Sequence, residues 1–258
     1  MTNFIQLLRR SILNLGRYQT ILLVAWLVVM LSLPIAQVIF GEQTLVQGLT
    51  LAVLLQLAFV LHVLYQAWGW WNLLRVTVSV VVLTWVAEAI TTRSGYPFGS
   101  YSFTPLLQPQ VMGVPVLVPL VWMMMLPPAW AVSRLITRKT SGCLVRPVFI
   151  LVCALAFTAW VFYFGPQTMR LGLVEWNSPV GYLGIPWINF LGWLLVSGLT
   201  TLAVSPKRLP SGILVLVYGL TWLAGSISQL LFWGLTIPAL AGFLLMGGML
   251  LWAAINSR

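Results

Sequence analysis

The chain has 258 residues, 60% of them hydrophobic and 6% charged. A water-soluble domain of this length does not tolerate that balance, so the sequence describes an integral membrane protein. The net charge of +10 does not point to nucleic acid, because the basic residues sit in short segments between apolar runs with no polar domain to carry a basic face. Two cysteines and one histidine exclude a disulfide framework and a structural zinc site. Cys143 and Cys153 are expected as free thiols.

The apolar runs are about twenty residues long and lack the short alternating strands of an outer-membrane barrel. The predicted fold is therefore all-α, a polytopic bundle of about eight transmembrane helices in one domain over 1–258. Residues 1–17 read as an amphipathic lead at the membrane interface, with Phe4, Leu7, Leu8 and Ile12 against Arg9, Arg10 and Arg17. The run that follows lacks a small-residue cleavage site and reads as a span rather than a signal peptide. The spans are predicted over roughly 18–40, 46–67, 71–92, 113–135, 146–165, 184–204, 211–233 and 236–255. With the N-terminus inside, eleven basic residues fall on the cytoplasmic side and only Arg93 and Arg170 on the other. That bias predicts both termini in the cytoplasm of a plasma, inner or thylakoid membrane.

In this topology two unusual clusters meet in the outer half of the bundle. One runs from Glu88 through Tyr96-Pro97-Phe98-Gly99, Tyr101 and Phe103 to Gly113-Val114-Pro115 and Trp122. The other is Glu175-Trp176 followed by Gly181 to Trp193. The chain has three acidic residues, and one of them, Glu88, lies within an apolar run. Acids at membrane depth cost about 2.5–3.5 kcal/mol on insertion scales, which makes a functional role the first reading. A pairing with Arg93 is the bland alternative. Apolar surroundings disfavour the charged form of a carboxyl, and a protonated carboxyl can act as a general acid.

Asn189 and Tyr101 are the candidate partners of Glu88 in chemistry. Tyr96, Phe98, Phe103, Trp122, Trp176, Tyr182, Trp187, Phe190 and Trp193 are candidates to line an apolar pocket. The same aromatics would otherwise form an interfacial belt. His62 is placed toward the opposite end of the bundle, and Met123-Met124-Met125 reads as packing. There is no phosphate loop, nucleophile elbow or metal-ligand cluster, and without Asp the chain cannot carry Asp-rich magnesium motifs. The last two spans read as scaffold.

Ala87-Glu88, Gly95, Pro97-Phe98-Gly99, Tyr101, Phe103, Gly113-Val114-Pro115 and the Trp122-Met123-Met124 run, with Gly184-Ile185-Pro186, Asn189-Phe190 and Gly192-Trp193 downstream, resemble the carotenoid biosynthesis family. That family includes the membrane carotenoid 1',2'-hydratases and bisanhydrobacterioruberin hydratase. The resemblance covers about residues 85–200. It implies addition of water to the terminal double bond of a linear, ψ-ended carotenoid, giving a tertiary alcohol without cofactor or metal. Carotenoid and membrane lipid are the implied partners, with a noncatalytic place in a photosynthetic or other membrane complex as the alternative. The chain departs from the family pattern at one place. Where members usually carry Asp-x-x-x-Asp-Pro, this sequence has Val161 and Gly165 before Pro166. If those acids supply the proton or activate the water, this chain binds carotenoid without converting it.

Overall fold

The structure, a computed structural model, describes residues 2–257 and is helical along most of that length. The helices are α1 (Thr2–Leu13), α2 (Arg17–Phe40), α3 (Glu42–Ser94), α4 (Leu117–Ile136), α5 (Val145–Arg170), α6 (Trp187–Val204), α7 (Ser211–Ile227) and α8 (Thr236–Asn256). A π turn, Ser228–Phe232, extends α7. Seven of the helices are long and apolar enough to cross a membrane.

One of the seven does more than cross once. At about 1.5 Å per residue, α3 would be roughly 80 Å long, against a hydrocarbon core of about 30 Å. It is broken at Gly69, which adopts φ 72° and ψ 175°, a left-handed φ open to glycine without a Cβ penalty. Near the break, Gln66 accepts from Gln19 at 2.8 Å and the Trp68 indole donates to Lys207 O at 2.6 Å. At the other end of the bundle, Val46 and Leu49 share a cavity with Leu171 and Trp233, while Glu88 faces Tyr101 and Leu173. Both ends of α3 thus return to the same end of the bundle. The limbs 42–68 and 70–94 are two antiparallel passes, giving the eight read from the sequence.

α4 forms the axis. Its residues from Val121 to Ser133 are all buried, the three consecutive methionines among them. α2, by contrast, exposes Ile21, Val24, Val28, Leu31, Ile35 and Val38. That spacing of three and four is a continuous apolar stripe of the kind that faces lipid. Arg75, Arg134, Arg146, Lys207 and Arg208 line two adjoining clefts at the end opposite Glu88. α1 reaches the same end, where Leu7 and Ser11 pack on Gly212 at the start of α7.

Some boundaries differ from those read in the sequence. α4 starts at Leu117 because Gln110–Val111 (β2) and Val114–Pro115 (β3) pair as a small antiparallel hairpin. α6 starts at Trp187, after a bridge between Tyr182 and Ile185. α5 continues through Pro166 to Arg170. A proline inside a helix removes one backbone donor and crowds the preceding turn, and membrane helices tolerate it when side chains satisfy the freed groups. The carbonyl that Pro166 leaves without its helical donor is that of Phe162, and the Thr168 hydroxyl donates instead to Gly165 O at 2.8 Å. Tyr101–Phe103 (β1) and Val174–Trp176 (β4) pair antiparallel, with Tyr101 opposite Trp176.

Candidate functional site

The site is built where α3 ends. Gly95, at φ 75°, caps the helix and its N–H bonds Thr91 O at 2.8 Å. The chain then turns back as the loop 95–99 and lies against α6. Asn189 Nδ2 donates to Phe98 O at 3.1 Å. Gly192 lets the backbone come this close, since a Cβ there would stand 2.5 Å from Pro97 O and 2.7 Å from the Phe98 ring. Phe98 is fully buried. Past the loop, pairing of β1 with β4 orients Tyr101 toward α3, and its hydroxyl donates to Glu88 Oε2.

Glu88 is 1% exposed and sits one to two turns inside the end of α3. Arg93 does not pair with it and donates to Ala89 O at 3.0 Å instead. The Trp122 indole N–H, close to the Glu88 carboxyl, has no hydrogen-bond partner among the described residues. Burial, with the Glu88 carboxyl beside it, pushes the Tyr101 hydroxyl well above its ordinary range. Tyr101 therefore stays protonated and acts as a donor.

Glu88 opens on a cavity of about 60 Å³, lined also by Tyr101, Phe103, Val161, Phe164, Gly165, Thr168, Trp176, Asn189 and Trp193. That volume exceeds the ~10–15 Å³ a single water needs. The walls are aromatic and apolar on most sides. The Tyr101 ring lies 4.9 Å from Trp176 and 5.3 Å from Phe103. Behind the carboxyl, Trp122 stacks on Trp193 at 4.3 Å and on Phe157 at 4.7 Å. Aromatic faces of this kind stabilise a nearby positive charge.

The residues singled out from the sequence divide into groups. Glu88, Tyr101, Phe103, Trp176, Asn189 and Trp193 meet at the cavity, and Phe98 and Trp122 pack directly behind it. Tyr182, Trp187 and Phe190 form a neighbouring aromatic group with Phe162. Tyr96 and Trp187 are 66% and 58% exposed, too far out to line the cavity in this structure. Asn189 bonds the loop and not Glu88. His62 stands at the other end beside Tyr18, and Glu175 is exposed on β4.

The α5 wall was only partly visible from the sequence. Val161, Phe164, Gly165 and Thr168 repeat at helical spacing on one face, and all four line the cavity. The family resemblance had singled out Val161 and Gly165, and for Phe164 and Thr168 helical spacing was the available signal.

A family model described as carotenoid biosynthesis protein matches residues 48–249. The chain belongs to the carotenoid biosynthesis protein family. No curated protein and no solved structure matches it. The matched segment takes in most of α3, both site loops and the cavity wall on α5.

Proposed function

We propose that the cavity receives the terminal isopropylidene group of a linear carotenoid and that Glu88 adds water across its double bond. The observation that carries this reading is a buried carboxyl, hydrogen-bonded by Tyr101, facing an aromatic cavity of water-holding size. Protonated Glu88 delivers its proton to the less substituted alkene carbon, leaving a tertiary cation on the adjacent carbon. Tyr101, Trp176 and Trp193 present ring faces to that charge. Water bonds to the cation and loses a proton to the Glu88 carboxylate, so one carboxyl serves as acid and then as base. Tyr101 holds the carboxyl in position throughout. The reaction needs no cofactor, and in the predicted orientation it occurs in the non-cytoplasmic half of the membrane.

A second reading rests on α5. Val161 and Gly165 line the same cavity as Glu88, at the positions where the resemblance leads one to expect acids. If hydration requires those acids, the chain is a carotenoid binder, or a pigment-bearing subunit of a membrane complex. Co-expression in a lycopene-producing bacterium separates the two. A pigment heavier by one water, absent with Glu88→Gln, supports the hydratase and its acid. Product from Val161→Asp/Gly165→Asp but none from the natural chain supports the binder. A Cβ at 165 would stand 2.8 Å from Ile185 Cδ1, the far end of a flexible side chain, so Ile185 must shift to admit the double variant. No product from either chain overturns the hydratase reading.

A further inference from the structure

The end of the bundle opposite Glu88 carries a charge arrangement that hydration does not use. A cleft of about 420 Å³ lies between the second limb of α3 and the segment joining α6 to α7, with Arg75, Lys207 and Arg208 in its lining. An adjoining cleft of about 190 Å³ is lined by Arg134, Arg146 and Lys207. The two share Ser205, Pro206 and Lys207, so five cations from four separate segments converge on one concave region. No acidic side chain lines either cleft. Glu88 and Glu175 belong to the other end, and Glu42 begins α3 there. Among the described residues only Arg146 of the five has a side-chain hydrogen bond, donating to Leu202 O at 3.2 Å and Ser205 Oγ at 3.1 Å. The Trp68 indole donates to Lys207 O at 2.6 Å and Arg208 O at 3.2 Å. That contact holds the connecting segment and occupies two carbonyls that would otherwise oppose an anion.

Basic residues collect at the cytoplasmic ends of spans in any membrane protein, which accounts for their number but not for their convergence in a cleft. Like charges brought together repel, and water hydrates them without neutralising them. An anion does neutralise them, and phosphate suits guanidinium groups because its oxygens accept paired hydrogen bonds. The depth of the cleft decides which phosphate. Trp70 and Trp71, 59% and 79% exposed, flank Trp68 and the break in α3. Exposed tryptophans mark the level of the lipid headgroups. The smaller cleft continues into Val145, Phe149 and Ile150. Beyond it α5 exposes Leu151 and Leu155, and α6 exposes Leu195, Leu199 and Leu202, apolar surface at helical spacing that acyl chains can cover. We infer that the paired clefts bind one anionic phospholipid, its phosphate seated at Lys207 between Arg75 and Arg208 on one side and Arg134 and Arg146 on the other. Basic pockets between transmembrane helices bind anionic headgroups in this way. The assignment does not rest on hydration at Glu88.

The test is titration of the full chain, delipidated in nonionic detergent, with phosphatidylglycerol, using native mass spectrometry to count bound lipids. Phosphatidylcholine with the same acyl chains is the control for chain binding. One phosphatidylglycerol is expected to bind at least about tenfold tighter than phosphatidylcholine, since each basic residue near an anionic lipid contributes about fivefold. Arg75→Gln/Lys207→Gln is expected to reduce that preference about tenfold or more. Both side chains are exposed, and the Trp68 bond to the backbone at 207 is untouched, so the fold is retained. Arg10→Gln/Arg138→Gln removes the same charge from the same end but outside the clefts, and is expected to leave the preference intact. Inorganic phosphate in excess, with chloride at matched ionic strength as its control, separates a lipid from a soluble anion. The lipid is expected to stay bound; its displacement by phosphate but not chloride would assign the clefts to the free ion and overturn the lipid. Equal binding of the two lipids, or equal losses in the two double variants, overturns the site.

Discussion

Tyr101→Phe isolates the contact on which the site depends. The substitution deletes one hydroxyl and leaves the ring, so the packing on Trp176 and Phe103 is retained. What is lost is the hydrogen bond to a carboxyl that is 1% exposed and has no other accepted hydrogen bond of standard geometry among the described residues. Leaving a buried polar group unmatched costs about 1–3 kcal/mol. Water entering the adjacent cavity recovers part of that, so a loss of about 1–2 kcal/mol is expected. The assay is denaturant unfolding in detergent micelles, run as a double-mutant cycle with Glu88→Leu. In the Glu88→Leu background Tyr101→Phe is expected to cost less than about 0.5 kcal/mol, since the hydroxyl then has no carboxyl to serve. An equal cost in both backgrounds would falsify the claim that Tyr101 acts through Glu88.

Further expectations follow from other parts of the molecule. Gly192→Ala drives a Cβ into Pro97 and Phe98 and is expected to destabilise by about 1–3 kcal/mol, whereas Gly248→Ala, with nothing within 4 Å, is expected to be neutral or stabilising by up to about 1 kcal/mol; thermal unfolding compares them. Burial pushes the Tyr182 hydroxyl up to about 12. In the unfolded chain it ionises near 10, so the folded state holds the proton longer, and this contribution is intact below about pH 10 and lost as pH rises toward 12. Tyr182→Phe is expected to flatten that alkaline loss; unchanged pH dependence counts against it. Cys143 is exposed and Cys153 buried beside Thr201, so a maleimide is expected to label one thiol per chain. An impermeant reagent on intact cells is expected to label none until the membrane is opened, and labelling beforehand would reverse the predicted orientation.

Hydropathy made the passes legible because each is a long apolar run, and the Trp-rich break at Gly69 was placed between spans even though no polar loop marks it. Glu88 stood out for a similar reason, as a rare residue type in a run that ordinarily excludes it. The pairing of β1 with β4 was not legible. Three-residue strands are too short to show a period of two, and their partners lie about seventy residues apart. Asn189 was read as a partner for Glu88, while the structure gives its amide to Phe98 O; sequence carries residue type but not the direction a side chain takes.

The break at Gly69 bears on how the protein enters its membrane. With a single residue between them, limbs 42–68 and 70–94 cannot choose their directions independently during synthesis. The second limb carries Glu88, an unfavourable passenger for a helix inserting alone. Coupled to the first, which carries no Asp, Glu, Lys or Arg from 43 to 68, it is drawn across as half of a hairpin. The side of the membrane on which the acid emerges is therefore decided by the limb that precedes it, before Tyr101 has been made.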